Sequence, residues 1–107
     1  MSAIQSRYSG AIVYKLVHRG RPSKFYIGST TMTLEEKMLL HKNESLRPLA
    51  LTYNIVLYSY IRNHGGMKNF DIEVLERGFP CTCWGDIMRR EHHYIMRLTP
   101  ALNTYLP

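Results

Sequence analysis

No aspartate or glutamate occurs before Glu35 in this 107-residue chain. The same stretch carries Arg7, Lys15, Arg19, Arg21 and Lys24. Fourteen Lys and Arg face eight Asp and Glu overall, a formal charge of +6 with a pI near 9.6. Such a shortage of acid favours a polyanionic partner, nucleic acid ahead of an anionic membrane surface. A basic, soluble surface with no dedicated partner is the plain alternative. Cysteine is nearly absent too. Cys81 and Cys83 are the only pair; being one residue apart, they cannot staple distant elements or complete a four-cysteine zinc site. They read as reduced thiols in a reducing compartment. No apolar run approaches the roughly 20 residues that span a bilayer, and MSAIQSRYSG has no apolar core of a secretory signal. The expectation is a soluble intracellular protein, cytoplasmic or nuclear.

Repeats, low-complexity tracts and linkers are missing as well, so residues 1–107 are expected to form one domain. The 45% hydrophobic content is enough for a core without staples. Ala11–Val17, rich in β-branched and aromatic residues, predicts a strand. The turn-rich HRGRPS and a second short strand, KFYIG, complete a hairpin. Thr33 followed three residues later by Glu36 is a capping-box signal for a helix running to about Glu44. A second helix is predicted over Tyr53–Asn63, closed by Gly65–Gly66. FDIEVLE alternates apolar and acidic residues from Phe70, as a half-buried strand does. A last helix is predicted over Trp84–Leu98, ended by Thr99–Pro100. The order β-β-α-α-β-α is an α+β arrangement: a three-stranded antiparallel sheet flanked by helices.

Several polar residues fall where apolar ones belong. Trp84, Ile87, Met88, Tyr94, Ile95 and Leu98 gather on one side of the last helix, with Glu91 in the middle of that arc. A carboxylate there must be paired, protonated or holding a metal. Either it is a functional group, or it is a structural one, bonded to Lys, Arg or Tyr or lifted to the edge of the core. Lys37 and His41, four apart, share a face of the capped helix. They either line a cleft or are boundary residues with packed stems and wet tips. Tyr14 and Tyr26 lie on the hairpin, where most tyrosines simply pack. Two phenols, a Lys, a His and a Glu nonetheless suit phosphodiester cleavage: a phenol relays a proton, a carboxylate holds a hard cation, and a cation offsets developing charge.

IVYKL, KFYIGST and LEEKMLLHK, then IRNHGGMKNFDIEVLE, then REHHYIMRLTPALN, together resemble the GIY-YIG endonuclease family from about Ala11 to Asn103. The resemblance implies a hydrolase that cuts a DNA phosphodiester bond with one Mg²⁺ or Mn²⁺ per site. By position, Tyr14 would be the general base or proton relay, Tyr26 its paired tyrosine, His41 the histidine near the scissile phosphate, Glu91 the metal-binding carboxylate and Asn103 a residue holding the site together. Arg19, Arg21 and Lys24 would grip the DNA backbone. Two positions depart from the family pattern. The first motif reads Ile12-Val13-Tyr14, without the glycine, and Lys37 stands where the family has a catalytic arginine, keeping the charge but not the bidentate fork. A binding module of the same fold that grips DNA without cutting is the competing expectation. A redox protein built on Cys81-x-Cys83 lacks the usual C-x-x-C spacing. Low specificity, readout through the module's own loops, or homodimerisation to cut both strands are all compatible with so small a nuclease.

Overall fold

The computed structural model describes residues 8, 10–48 and 55–103. Its elements are β1 (Ile12–His18), β2 (Arg21–Thr30), α1 (Leu34–Ser45), α2 (Val56–Asn63), a short 3₁₀ turn (Met67–Asn69), β3 (Phe70–Arg77) and α3 (Trp84–Leu98). The three strands form one antiparallel sheet in the order β2-β1-β3. The fold is therefore the expected small α+β arrangement. Tyr53 and Asn54, the predicted start of the second helix, lie outside the described residues.

β1 is the middle strand, and Ile12, Val13, Tyr14 and Leu16 are all buried. A strand covered on both faces reads as a continuous apolar run, as AIVYKLV does, and not as an alternation. On one face Tyr14 and Leu16 pack with Leu57, Tyr58 and Ile61 of α2. On the other, Val13 and Ile27 pack with Ile95 of α3. The sheet thus carries a core on each side.

β2 is longer than its sequence suggested, because it begins at Arg21 and leaves only Arg19–Gly20 as the turn. The register jumps from Val17↔Phe25 to His18↔Arg21, so Pro22 falls in an irregular stretch of an edge strand. That is where a residue without an N–H is tolerated. α1 begins as its capping box predicts: the Thr33 hydroxyl accepts from the Glu36 N–H at 3.1 Å, and the Glu36 carboxylate accepts from the Thr33 N–H at 2.9 Å. The Gly65–Gly66 pair closes α2 with φ of 92° and 84°. At Gly65 a Cβ would also collide with the Asn69 amide.

α3 covers the sheet more narrowly than its pattern implied. Ile87 and Ile95 are buried, but Trp84, Met88 and Leu98 are exposed. Three strands offer too little width to cover a broad apolar arc. Glu91 accordingly sits half-buried between the two buried isoleucines, each one turn away.

The outer edge of β2 is closed by the end of the described chain. The Leu102 N–H donates to the Phe25 carbonyl at 3.0 Å. The Asn103 side chain then accepts from the Ile27 N–H and donates to the Ile27 carbonyl, both at 2.8 Å. One amide side chain imitates a neighbouring strand and satisfies two backbone groups that an edge leaves open. Asn103→Ala should cost about 1–3 kcal/mol, two hydrogen bonds' worth. Urea titration checks this: the midpoint should fall while the slope stays constant.

Candidate active site

Tyr14, at the centre of the sheet, is completely buried. Its register partner on β2 is Gly28, and this pairing decides where its ring can lie. A Cβ at position 28 would stand 2.5 Å from the Tyr14 hydroxyl and 2.6 Å from the ring carbon bearing it. Only glycine lets the phenol cross β2 and reach α1. There the Tyr14 hydroxyl lies 2.7 Å from Nε2 of His41. Tyr26, two residues before the glycine, hydrogen-bonds to Tyr14, with its ring 6.3 Å from that of Tyr14 and 5.9 Å from His41. The paired tyrosines and the helix histidine therefore form one cluster.

His41 is only 3% exposed, so it is not a boundary residue with a wet tip. Its Nδ1 lies 2.9 Å from the hydroxyl of Tyr58 on α2, and both ring nitrogens are engaged. Burial, aided by the Lys37 charge one turn earlier, drives its pKa from 6.5 down to about 3. Tyr14 moves the other way. Burial chiefly, then Tyr26, Tyr58 and Glu91, raise it far above the ordinary phenol range. At neutral pH this is a neutral phenol against a neutral imidazole.

Glu91 arrives from the other face of the sheet. Ser29, opposite Val13 in the register, donates its hydroxyl to the Glu91 carboxylate at 2.6 Å. Burial raises the Glu91 pKa, opposed by the Ser29 hydrogen bond and by the charges of Lys37 and His92. Lys37 is half-buried, and desolvation lowers its pKa against the pull of Glu91 and Glu44. Lys37 and Glu91 thus act on each other through space. Among the described residues no cation comes within ion-pair distance of Glu91.

That half-buried, unneutralised carboxylate suits a hard divalent cation that keeps most of its waters. It does not suit a cage, since among the described residues no three His, Cys, Asp or Glu come together. Asn103 serves the cluster from outside, fixing the Ile27 backbone between Tyr26 and Gly28.

Arg19, Arg21 and Lys24 are not brought to the cluster. They belong to the hairpin's far end, about 13 Å or more from Tyr14 at roughly 3.3 Å per strand residue. Arg19 is also held by two hydrogen bonds to Asp71, at 2.8 and 3.2 Å. A cavity of about 520 Å³ lined in part by Met38, Ile61 and Met67 shares no residue with the cluster. Tyr58 and Ser29 escape sequence reasoning. Tyr58 sits among Leu57 and Ile61 and reads as ordinary core, and a serine in a strand carries no signal.

The buried imidazole has a consequence for stability. The unfolded chain takes up a proton on His41 below about pH 6.5, whereas the folded protein refuses it until about pH 3. Within that window the unfolded state holds more protons, so stability falls as pH falls, by up to about 1.4 kcal/mol per unit from this residue. Urea titrations between pH 7 and pH 4.5 should show a steeper loss for the wild type than for His41→Gln.

A scan against protein-family models matches none of them, and searches of curated proteins and of solved structures likewise return no match.

Proposed function

We propose that this protein is a divalent-metal-dependent endonuclease that hydrolyses a DNA phosphodiester bond. The observation that carries the reading is the buried Tyr14–His41 contact within the electrostatic reach of the unneutralised Glu91 carboxylate. The resemblance of the chain to the GIY-YIG family, and the net charge of +6, support it.

Glu91 would hold one Mg²⁺ or Mn²⁺, which would supply charge neutralisation at the phosphate oxygens. Ser29 orients the Glu91 carboxylate. Tyr14 is too strongly disfavoured as a phenolate to begin as a free base, so it acts as a relay. The attacking water gives a proton to the Tyr14 oxygen as the phenolic proton passes to Nε2 of His41. The imidazolium, disfavoured by burial in the resting protein, would be stabilised by the negative charge of the bound phosphate and then gives its proton to solvent. The water oxygen bonds to phosphorus, the bond to the departing 3′ oxygen breaks, and that oxygen takes a proton from solvent. Lys37 offsets the negative charge growing on the phosphate. Tyr26 braces the Tyr14 ring, and Arg21 and Lys24 add contacts to the backbone farther along the DNA.

A second reading has an observation of its own. Lys37 is partly desolvated and offers a point charge where a guanidinium would grip two oxygens. A DNA-binding module of the same fold that does not cut would tolerate this. Plasmid nicking with Mg²⁺ or Mn²⁺ separates the readings, with Glu91→Gln as the control. The glutamine keeps an oxygen for Ser29 but loses the charge. Cleavage should fall by on the order of 10²–10³ or more, with stability unchanged or increased because a partly desolvated charge is removed. Wild-type nicking by Glu91→Gln defeats the metal assignment; no nicking by the wild type leaves the binding module.

Lys37→Arg tests the remaining cation. A guanidinium at this place should raise the single-turnover cleavage rate by about tenfold, with little change in affinity, because the gain is confined to the transition state. An unchanged or slower rate identifies lysine as the residue this site is built for.

A further inference from the structure

One face of α3 packs against the sheet and another is left to solvent. Trp84, Met88, His92 and Met96 follow one another at intervals of four, a single row on an α-helix that drifts only about 40° per step. Trp84, Met88 and Met96 are 47%, 43% and 65% exposed, and His92 is exposed too. The row runs into a pocket of about 350 Å³ lined by His92, Ile95, Met96, Thr99 and Pro100. An indole thus stands at one end of the face, and a mostly apolar hollow opens at the other. Contiguous apolar surface of this kind marks a place of contact.

The two ends are matched about the middle of the helix. α3 spans Trp84–Leu98, so residue 91 is its midpoint. Trp84 lies about 10 Å before that point and the pocket is centred about 8 Å beyond it, at 1.5 Å per residue. Helical side chains lean about one residue toward the N-terminus. Met88 therefore covers the level of residue 87 and Met96 that of residue 95, equal steps on either side of 91. A second copy turned end for end about a two-fold axis there sets its Trp84 over the first copy's pocket and its Met88 against Met96. It receives the same contacts in return. We infer that this face is where two copies of the chain pair, α3 against α3 and antiparallel. The nearby charges permit it. Arg89 is paired with Asp86 and Arg90 with Glu76, so neither meets the other copy as a bare cation. Glu91 stays bonded to Ser29 of its own chain, and the adjoining His92, near the axis, acts on that carboxylate electrostatically. One face of a 15-residue helix is a small interface, so the association is weak and reversible. It does not depend on the nuclease reading.

Sedimentation equilibrium of the full chain tests the pairing. The apparent mass should rise with concentration from 12.5 kDa toward twice that value. The emission of Trp84, the sole tryptophan, should shift to shorter wavelength in step. Each copy carries a formal +6, so added salt should tighten the association by screening the repulsion. Met88→Glu and Met96→Lys fall at exposed positions that the fold does not need covered. Each should weaken the association by more than about tenfold, because a charge is then buried without a partner. Mixing the two variants in equal amounts should restore the dimer. The antiparallel register sets the new carboxylate of one against the new ammonium of the other, and leaves Met96 against Met88 at the second contact. A wild type that stays monomeric throughout the range overturns the inference. So does a dimer that both variants leave intact, which places the interface elsewhere, or a pair of variants that does not recombine, which breaks the antiparallel match.

Discussion

The passage of the Tyr14 ring across Gly28 is the contact on which the rest of the site depends. It requires a glycine at one register position, and it carries the phenol from the centre of the sheet to His41 on α1. Asn103 pins the residue immediately before that glycine, so the end of the described chain holds β2 in place beside the cluster. An edge strand left open there would be free to shift, and a one-residue slip would turn its side chains to the opposite face.

Burial acts in one sense on five titratable groups of the site: it raises Tyr14, Tyr58 and Glu91 and lowers His41 and Lys37, pressing each toward its neutral form. Such an enclosure favours uncharged groups and does not fix strong charges against one another. Under the proposed nuclease reading, a cation at Glu91 and a phosphate at Lys37 would relieve the cost of desolvation. The Ser29 hydrogen bond is the local counterweight that keeps the carboxylate available.

The two halves of the site come from opposite sides of one sheet. Tyr14, Tyr26, His41 and Tyr58 occupy the face covered by α1 and α2, whereas Glu91 reaches Ser29 from the face covered by α3. The two halves act on each other electrostatically, Glu91 on both Tyr14 and Lys37. The hairpin tip stands apart, with Arg19 tied to Asp71. A polyanion spanning both regions would meet the basic tip and the cluster as separate points of contact.

Local chemistry made much of this architecture readable in the sequence. The Thr33/Glu36 box marks the start of α1, the Gly65–Gly66 pair ends α2, and the apolar run of β1 reports a strand covered on both faces, because each signal acts over a few neighbouring residues. The spacing of Lys37 and His41, and the polar Glu91 in an apolar helix, were visible for the same reason. Tertiary structure alone decided the rest. Helical periodicity places Tyr58 in the core but cannot say that its hydroxyl meets Nδ1 of a histidine 17 residues away. Strand alternation cannot assign Ser29 to Glu91, 62 residues distant. The width of the sheet, not the pattern of α3, left Trp84, Met88 and Leu98 in solvent. Hydrogen-bond partners and burial depend on which elements meet, and that is settled by packing across the whole chain and not by any single segment of it.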